Sequence, residues 1–403
     1  MAGVFDGLKV VDFSWVATGP LCTKYLADHG ATVVRVESAT RPDIIRWTPP
    51  FRDGEPGLNR SARFANFNSS KLGMALNLGH PRGREVAWRL IQWADVVTES
   101  FTPGVMRRLG LDYERVCPSR PDIVYLSTSQ LGQTGPWASH PGFGTQLAAL
   151  SGFYYLSGWE DRDPAGPYGA YTDFINFRLA ALSIISALDA RRRTGRGQYI
   201  DLAQLEGGIQ FLAPLVMDAF LGGEPPGRMG NRSATSAPHN AYPCRGEDRW
   251  CVIAVESDDQ WCRLVEAMGS PAWATDPAWA TLEGRKRSED ALDRHIASWT
   301  AQFDAVELME HLQAADVPAG VVQTCEDMYR DPQLIHRGHF VVLEHAEIGP
   351  HAYDGVAFRL SRTPGGPRFA APCLGQHTEH VCRELLGMSA EEFAALRDDG
   401  VFV

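Results

Sequence analysis

The sequence predicts an α/β protein in which a doubly wound parallel sheet is joined to a smaller α+β domain. Three observations carry this. Short apolar runs of strand length alternate with helical stretches from Leu8 to Leu202, the pattern that builds a parallel sheet. The chain has 403 residues, long for a single core. The run GGEPPGRMGNRSATSAP (222–238) is rich in Gly, Pro and Ser and reads as a domain boundary.

Taken in order, Leu8–Phe13 is a short apolar run ending in the loop SWVATGP. Leu21–Asp28 is the first helix, stopped by Gly30, and Thr32–Glu37 the second strand, which completes a βαβ unit. Glu37 at the end of the second strand invites a dinucleotide-binding reading. That reading fails, because the first turn lacks G-x-G-x-x-G and puts Trp15, Val16 and Thr18 where backbone must approach a pyrophosphate. Met74–Leu78 and Ala94–Glu99 are the next strands, separated by a helix that Pro81 opens. Ile123–Ser129 follows as a buried strand. The loops after these strands should frame a ligand site, since ligands of open α/β sheets lie at the strands' carboxyl ends.

Beyond the boundary run, Asn240–Cys244 and Trp250–Val255 read as a hairpin split by RGED. Ser257 with Gln260, and Asp304 with Glu307, are capping-box pairs that open helices. A third such pair, Ser389 with Glu392, marks a helix in the tail.

The stretch from Tyr168 to Glu206 is the most informative. Phe174–Leu188 is apolar or small on nearly every side and predicts a helix buried all round. Asp173 stands at its mouth, where the free amides and the positive end of the macrodipole favour an ionised carboxylate. Arg191, Arg192 and Arg193 suit the C-terminus, and Gly195 and Gly197 end the helix. Gln198–Leu202 is then a strand and Leu205–Leu221 a second apolar helix. On spacing alone, helix capping is the favoured reading of Asp173, since capping is the commonest use of Asp before a helix.

Composition narrows the function. A formal net charge of −11 argues against nucleic acid as a partner, since phosphate binding needs a basic face. No apolar run reaches bilayer length and the first residues lack a signal-peptide pattern, which predicts a cytoplasmic protein without a membrane partner. The eight cysteines are scattered, with neither a C-x-x-C pair nor histidines at zinc spacing, so reduced thiols and no metal site are expected.

Several ordered motifs resemble the class III CoA-transferase family, of the carnitine and formyl-CoA transferase type. They are VVDFSWVATGPLCTKYLADHGATVVRVE, NFNSSK (66–71), SFTPGVMRRLGL (100–111), GQTGPWASHPGFG, the Asp173 helix with its ALDARRRTGRGQ ending, and DPQLIHRG (331–338). The resemblance covers nearly the whole chain. It implies that Asp173 is the catalytic nucleophile and that coenzyme A, as acyl-CoA substrate and product, lies against Ala17, Thr18, Leu76, Asn77, Leu78, Ser100, Phe101 and Thr102. Arg108 would hold a CoA phosphate, and Gly142, Phe143, Gly144 and Thr145 would complete the site.

The resemblance also implies the larger architecture. Residues 1–220 and 330–403 would form a large Rossmann-like CoA-binding domain and 225–329 a small α+β domain, with the subunits of a homodimer interlocked as rings. Partners would be an acyl-CoA and a free carboxylic acid. The YGAYTDF wording resembles transferases that act on aromatic or alkyl-succinate acids with succinyl-CoA. Two alternatives share the fold. An α-methylacyl-CoA racemase-like isomerase needs a histidine in a G-H-D segment, where this chain has Gly142, Phe143 and Gly144. A non-catalytic subunit of a heteromeric CoA-transferase would not need Asp173.

Overall fold

In a computed structural model of the chain, residues 3–224 and 227–403 are described. Pro225 and Pro226, near the start of the predicted boundary run, lie outside the described residues. The chain divides into two compact units. One holds Met1–Phe153, Gly166–Pro225 and Pro332–Val403, the other Tyr154–Ala165 and Pro226–Asp331. Tyr154–Ala165 thus clusters with the second unit, whereas its position in the sequence put it within the large domain.

The first unit is built on a six-stranded sheet in the order β3-β2-β1-β4-β5-β6. Its strands are β1 (Lys9–Asp12), β2 (Thr32–Glu37), β3 (Leu72–Ala75), β4 (Val96–Glu99), β5 (Val124–Ser129) and β6 (Gln198–Ala203). Every neighbouring pair is parallel. Such a sheet must be covered on both faces. On one face Val11, Val34, Met74 and Val97 pack with Val86, Leu90 and Ile91 of the Pro81–Trp93 helix and with Val381, Phe393 and Leu396 of the tail. On the other, Val10, Val33, Val96, Val124 and Leu126 pack with Leu26 and with Ala180, Ala181 and Ile184. These belong to the Thr18–Asp28 and Tyr171–Thr194 helices, which also pack against each other.

Four expectations are corrected. β3 covers Leu72–Ala75 rather than Met74–Leu78, because its register with β2 runs from Val34–Leu72 to Glu37–Ala75 and the chain then leaves the sheet. The Asp173 helix begins at Tyr171, so Asp173 lies inside the first turn and Ala170 occupies the capping position without a side-chain bond. That helix is not buried all round: Phe174, Leu182 and Ile185 are exposed on its outer side. The predicted helix over Leu205–Leu221 is two helices, Gln204–Phe211 and Ala213–Phe220. Pro214 accounts for the break, since it has no N–H to bond back and its ring crowds the preceding turn.

The second unit contains a three-stranded antiparallel sheet, β7 (His239–Pro243), β8 (Trp250–Ala254) and β9 (Ala319–Val321), ordered β7-β8-β9. Trp261, Leu264, Leu292, Ile296, Leu308 and Leu312 bury its core. The expected caps are present: Ser257 accepts from the Gln260 amide and Asp304 from those of Val306 and Glu307. The chain returns to the first unit at Pro332, ahead of the β10–β11 hairpin, Phe340–His345 with Gly349–Asp354.

Candidate active site

All six strands of the large sheet deliver their carboxyl ends, or the residues just past them, to one cavity of about 690 Å³. Its rim is contributed by Trp15–Gly19 after β1, Ser38–Arg41 after β2, Leu76–Gly79 after β3, Ser100–Pro103 after β4, Gln130 after β5 and Gln204 after β6. The chain reverses its strand order between β1 and β4, and a parallel sheet opens a crevice at such a point.

Of the residues singled out from the sequence, Asp173, Ala17, Thr18, Leu76, Asn77, Leu78, Ser100, Phe101, Thr102, Gly142, Phe143 and Gly144 all border this cavity. Arg108 and Thr145 do not. Arg108 lies on the short Val105–Leu109 helix whose Val105 and Leu109 reach the cavity, but its own side chain is exposed. Thr145 is exposed one residue into the Gly144–Leu150 helix.

Asp173 is 9 % exposed and, among the described residues, has no cation beside it. Its carboxylate has the Thr18 hydroxyl at 3.4 Å, a long contact, and the same hydroxyl lies 3.4 Å from the Asp173 carbonyl. The helix mouth exerts a pull toward the ionised form. Burial outweighs it, and the weak Thr18 bond offsets only part, so the carboxyl is pushed up to about 6. Gly144 backs Asp173 so closely that a Cβ there would stand 2.8 Å from the carboxyl carbon and 2.7 Å from Ala170 Cβ. Glycine is required at 144 for this close approach.

The loop carrying Trp15 to Thr18 is held from below by a buried polar network. Asp12 Oδ1 accepts from the Ser14 amide at 2.9 Å and the Thr98 hydroxyl at 3.1 Å, while Oδ2 accepts from Thr23 at 2.5 Å and Lys71 Nζ at 3.1 Å. Burial would raise the Asp12 carboxyl, but Lys71 and Arg35 outweigh it and keep it below the usual range. Lys71 explains the NFNSSK motif: it also bonds Pro20 O and Asn68 Oδ1, so it pins this loop and is itself fully buried. Arg35 spans the Ser14 carbonyl, Glu37 and Asp43 at 3.0, 2.9 and 2.5 Å, and Arg46 pairs with Glu37 at 2.9 Å. Burial again opposes ionisation of Glu37, yet Arg35 and Arg46 hold its carboxyl down at about 2.

Sequence reasoning missed Arg41, Trp15, Gln204 and Asp43. Arg41 is the one Lys or Arg side chain bordering the cavity among the described residues, and its guanidinium lies 5.9 Å from the Trp15 ring centre. Trp15 and Phe101 meet edge to face at 5.7 Å. Arg41 was legible in principle, being the first cation after the carboxyl end of β2. His140 borders the cavity but is exposed and stacked on Trp137. Beneath the Ser100–Thr102 segment, Glu99 accepts the Phe101 amide at 2.8 Å, and burial pushes its carboxyl up to about 7.

A buried, unpaired carboxylate facing a long cleft at the strand ends suits acyl chemistry, and the comparisons decide the family. The model of CoA-transferase family III matches residues 5–378. The chain belongs to CoA-transferase family III. It is 32% identical over 393 residues to a succinyl-CoA:D-citramalate CoA-transferase of Chloroflexus aurantiacus, covering 97% of this chain and 96% of the relative. It is 33% identical to a succinate:glutarate CoA-transferase of Agrobacterium fabrum, over 94% of this chain and 95% of that one. The crystal structure of a CaiB/BaiF family protein from Brucella suis superposes with a TM-score of 0.87 at 31% identity, covering 96% of this chain and all of that one. As a family III member, the protein is a CoA-transferase, with CoA thioesters as its substrates. Among the described residues no group of His, Cys, Asp or Glu is arranged to hold a metal ion, and no helix is long and apolar enough to cross a membrane.

Proposed function

We propose that the protein moves CoA from succinyl-CoA to a second carboxylic acid through covalent intermediates on Asp173. The observation that carries this is the state of Asp173: buried, without a cation, raised to about 6, and open to the cavity. Such a carboxylate is ionised at neutral pH but poorly solvated, which makes it a better nucleophile than one held in an ion pair. The donor and the acid class follow the relatives' names, both of which join succinyl-CoA or succinate to a dicarboxylic acid.

In this reading an Asp173 oxygen attacks the thioester carbonyl. The tetrahedral adduct collapses to a mixed anhydride and expels CoA as thiolate. The thiolate attacks the aspartyl carbonyl, frees the donor carboxylate and leaves an aspartyl-CoA thioester. The acceptor carboxylate attacks that thioester to form a second anhydride, again expelling the thiolate. The thiolate then takes the acceptor's acyl group and restores Asp173. Each step exchanges one acyl–oxygen or acyl–sulfur bond for another, and no proton need move. Backbone amides at Ala17 and Thr18 are suited to stabilise the oxyanions. Leu76 to Leu78 and Ser100 to Thr102 would carry the CoA body, with Arg41 and Arg108 reaching its phosphates.

An interlocked dimer belongs to the same proposal. Segments 205–235 and 325–345 would be the crossings, and both carry exposed apolar side chains: Phe211, Phe220 and Leu221 in the first, Ile335 and Val342 in the second. A single chain seldom leaves this much apolar surface in water without a partner.

The test is incubation with succinyl-CoA and a panel of free acids, with products read by mass, in the native protein and Asp173→Asn. Native protein should form new CoA esters and, with hydroxylamine present, a hydroxamate at Asp173. The Asn variant should form neither. Near-native transfer by the variant would exclude the covalent route.

A further inference from the structure

We propose that Asp43 is a positioning residue that locks Val16 in a left-handed turn and thereby aims Ala17 and Thr18 at the Asp173 carboxylate. The inference rests on the covalent reading above for its catalytic consequence, but the turn itself is a property of the fold.

Val16 has φ of 67°. A β-branched residue is a rare occupant of this region, because its Cβ crowds the following carbonyl oxygen. Such a conformation persists only where the surroundings over-determine it. Here each residue of the turn is gripped by a different element. The Ser14 carbonyl accepts from Arg35 at 3.0 Å, the Trp15 amide donates to Ser100 Oγ at 2.8 Å, and the Val16 amide donates to Asp43 Oδ2 at 2.9 Å. Asp43 is itself fixed by two further hydrogen bonds and by burial. Its Oδ2 accepts from Arg35 at 2.5 Å, its Oδ1 accepts from the Ile45 amide at 3.1 Å, and it is fully buried.

Immediately after Val16, Ala17 starts the Thr18–Asp28 helix, and the Thr18 hydroxyl faces Asp173. Were Val16 to relax to negative φ, the chain direction at Ala17 would swing and the Thr18 contact would open. Asp43 does not itself line the cavity and makes no bond to Asp173; it reaches the cavity wall through the Val16 amide.

The test compares native protein, Asp43→Ala, the double variant Asp43→Ala with Val16→Gly, and Val16→Pro. Glycine takes positive φ without strain and so needs no clamp; proline forbids positive φ and removes the amide while leaving the Asp43–Arg35 pair intact. Asp43→Ala should lower kcat about 10- to 100-fold with little change in KM for the CoA donor. The double variant should recover at least about fivefold in kcat, and Val16→Pro should lose activity like Asp43→Ala. Crystal structures should show Val16 leaving the left-handed region in Asp43→Ala and residue 16 returning to it as glycine.

The proposal is overturned if Asp43→Ala keeps kcat within about threefold of native, or if Val16 holds its positive φ without Asp43. It is equally overturned if the added glycine restores nothing. If Asp43→Ala does not fold, Val16→Pro decides, and native-like kcat in that variant sinks the idea. Should the native protein transfer no CoA at all, the covalent reading fails on its own, while the conformation at residue 16 still decides the clamp.

Discussion

Gly144 and Asp173 are in such close register that a single methyl group on Gly144 would overlap the carboxyl, 2.8 Å from both its carbon and Oδ1. Gly144→Ala should therefore displace the nucleophile while barely affecting the fold. Misplacing a reacting group by about an ångström costs about a hundredfold in rate. We expect kcat to fall by that order with an unchanged circular dichroism spectrum. Retention of more than a tenth of native kcat would show that the carboxyl can move aside and still react.

The raised Asp173 carboxyl gives a prediction for pH. The nucleophile must be ionised, so kcat/KM for the acyl-CoA donor should fall as pH drops through about 6. Stability runs the other way. The folded state binds this proton more tightly than the unfolded chain, so the contribution is complete below about pH 4 and lost as pH rises through about 6. The gap from an ordinary carboxyl corresponds to on the order of 3 kcal/mol. Asp173→Asn should thus be more stable than native at pH 8 by up to that amount, and equal to it near pH 4. Denaturant titrations at the two values check this, and equal stability at pH 8 would mean that the group is better solvated than its burial indicates.

Arg41, which borders the cavity, and Arg108, which does not, separate by position. Arg41→Ala should weaken binding of every CoA donor by about 1–3 kcal/mol, the size of a charge-assisted contact to phosphate. Arg108→Ala should do likewise if a CoA phosphate extends past the Val105–Leu109 helix. Michaelis constants for succinyl-CoA and a second donor measure both. An unchanged constant for Arg108→Ala would leave it as a solvated surface charge.

A carboxylate placed in the exposed apolar surface should break a dimer. Phe220→Glu is expected to fold, since the native side chain is 84 % exposed. Its solution mass should drop to that of one chain, with loss of transfer. A native protein that runs as a stable, active monomer would sink the interlocked assembly.

Much of the sheet was legible because buried parallel strands write themselves as short runs rich in apolar and β-branched residues, as VYLSTS (Val124–Ser129) and TVVRVE (Thr32–Glu37) do. Local signals also placed the caps at Ser257, Asp304 and Ser389, which need only a neighbour three residues on. What local pattern could not supply was long-range. The ionisation of Asp173 turns on burial by segments far away, against which its own helix dipole loses. The outer side of its helix reads as core because apolar residues look the same whether they face their own sheet or water. Asp43 looked like one more acid near a turn, and only the fold brings it to the Val16 amide.

The tail closes the sheet in a literal sense. On the free side of β3, the Gly73 amide donates to His377 Nδ1 at 3.1 Å, the Gly73 carbonyl accepts from the His377 amide at 2.8 Å, and the Ala75 amide donates to Thr378 Oγ1 at 3.0 Å. A sheet margin with bare amides and carbonyls is a template for pairing with other chains. During synthesis this margin stays uncovered for the roughly three hundred residues between Ala75 and Thr378, at about 5–20 residues per second. The nascent protein therefore spends tens of seconds with an open edge, which is the interval in which a chaperone would matter most and a truncated product would aggregate.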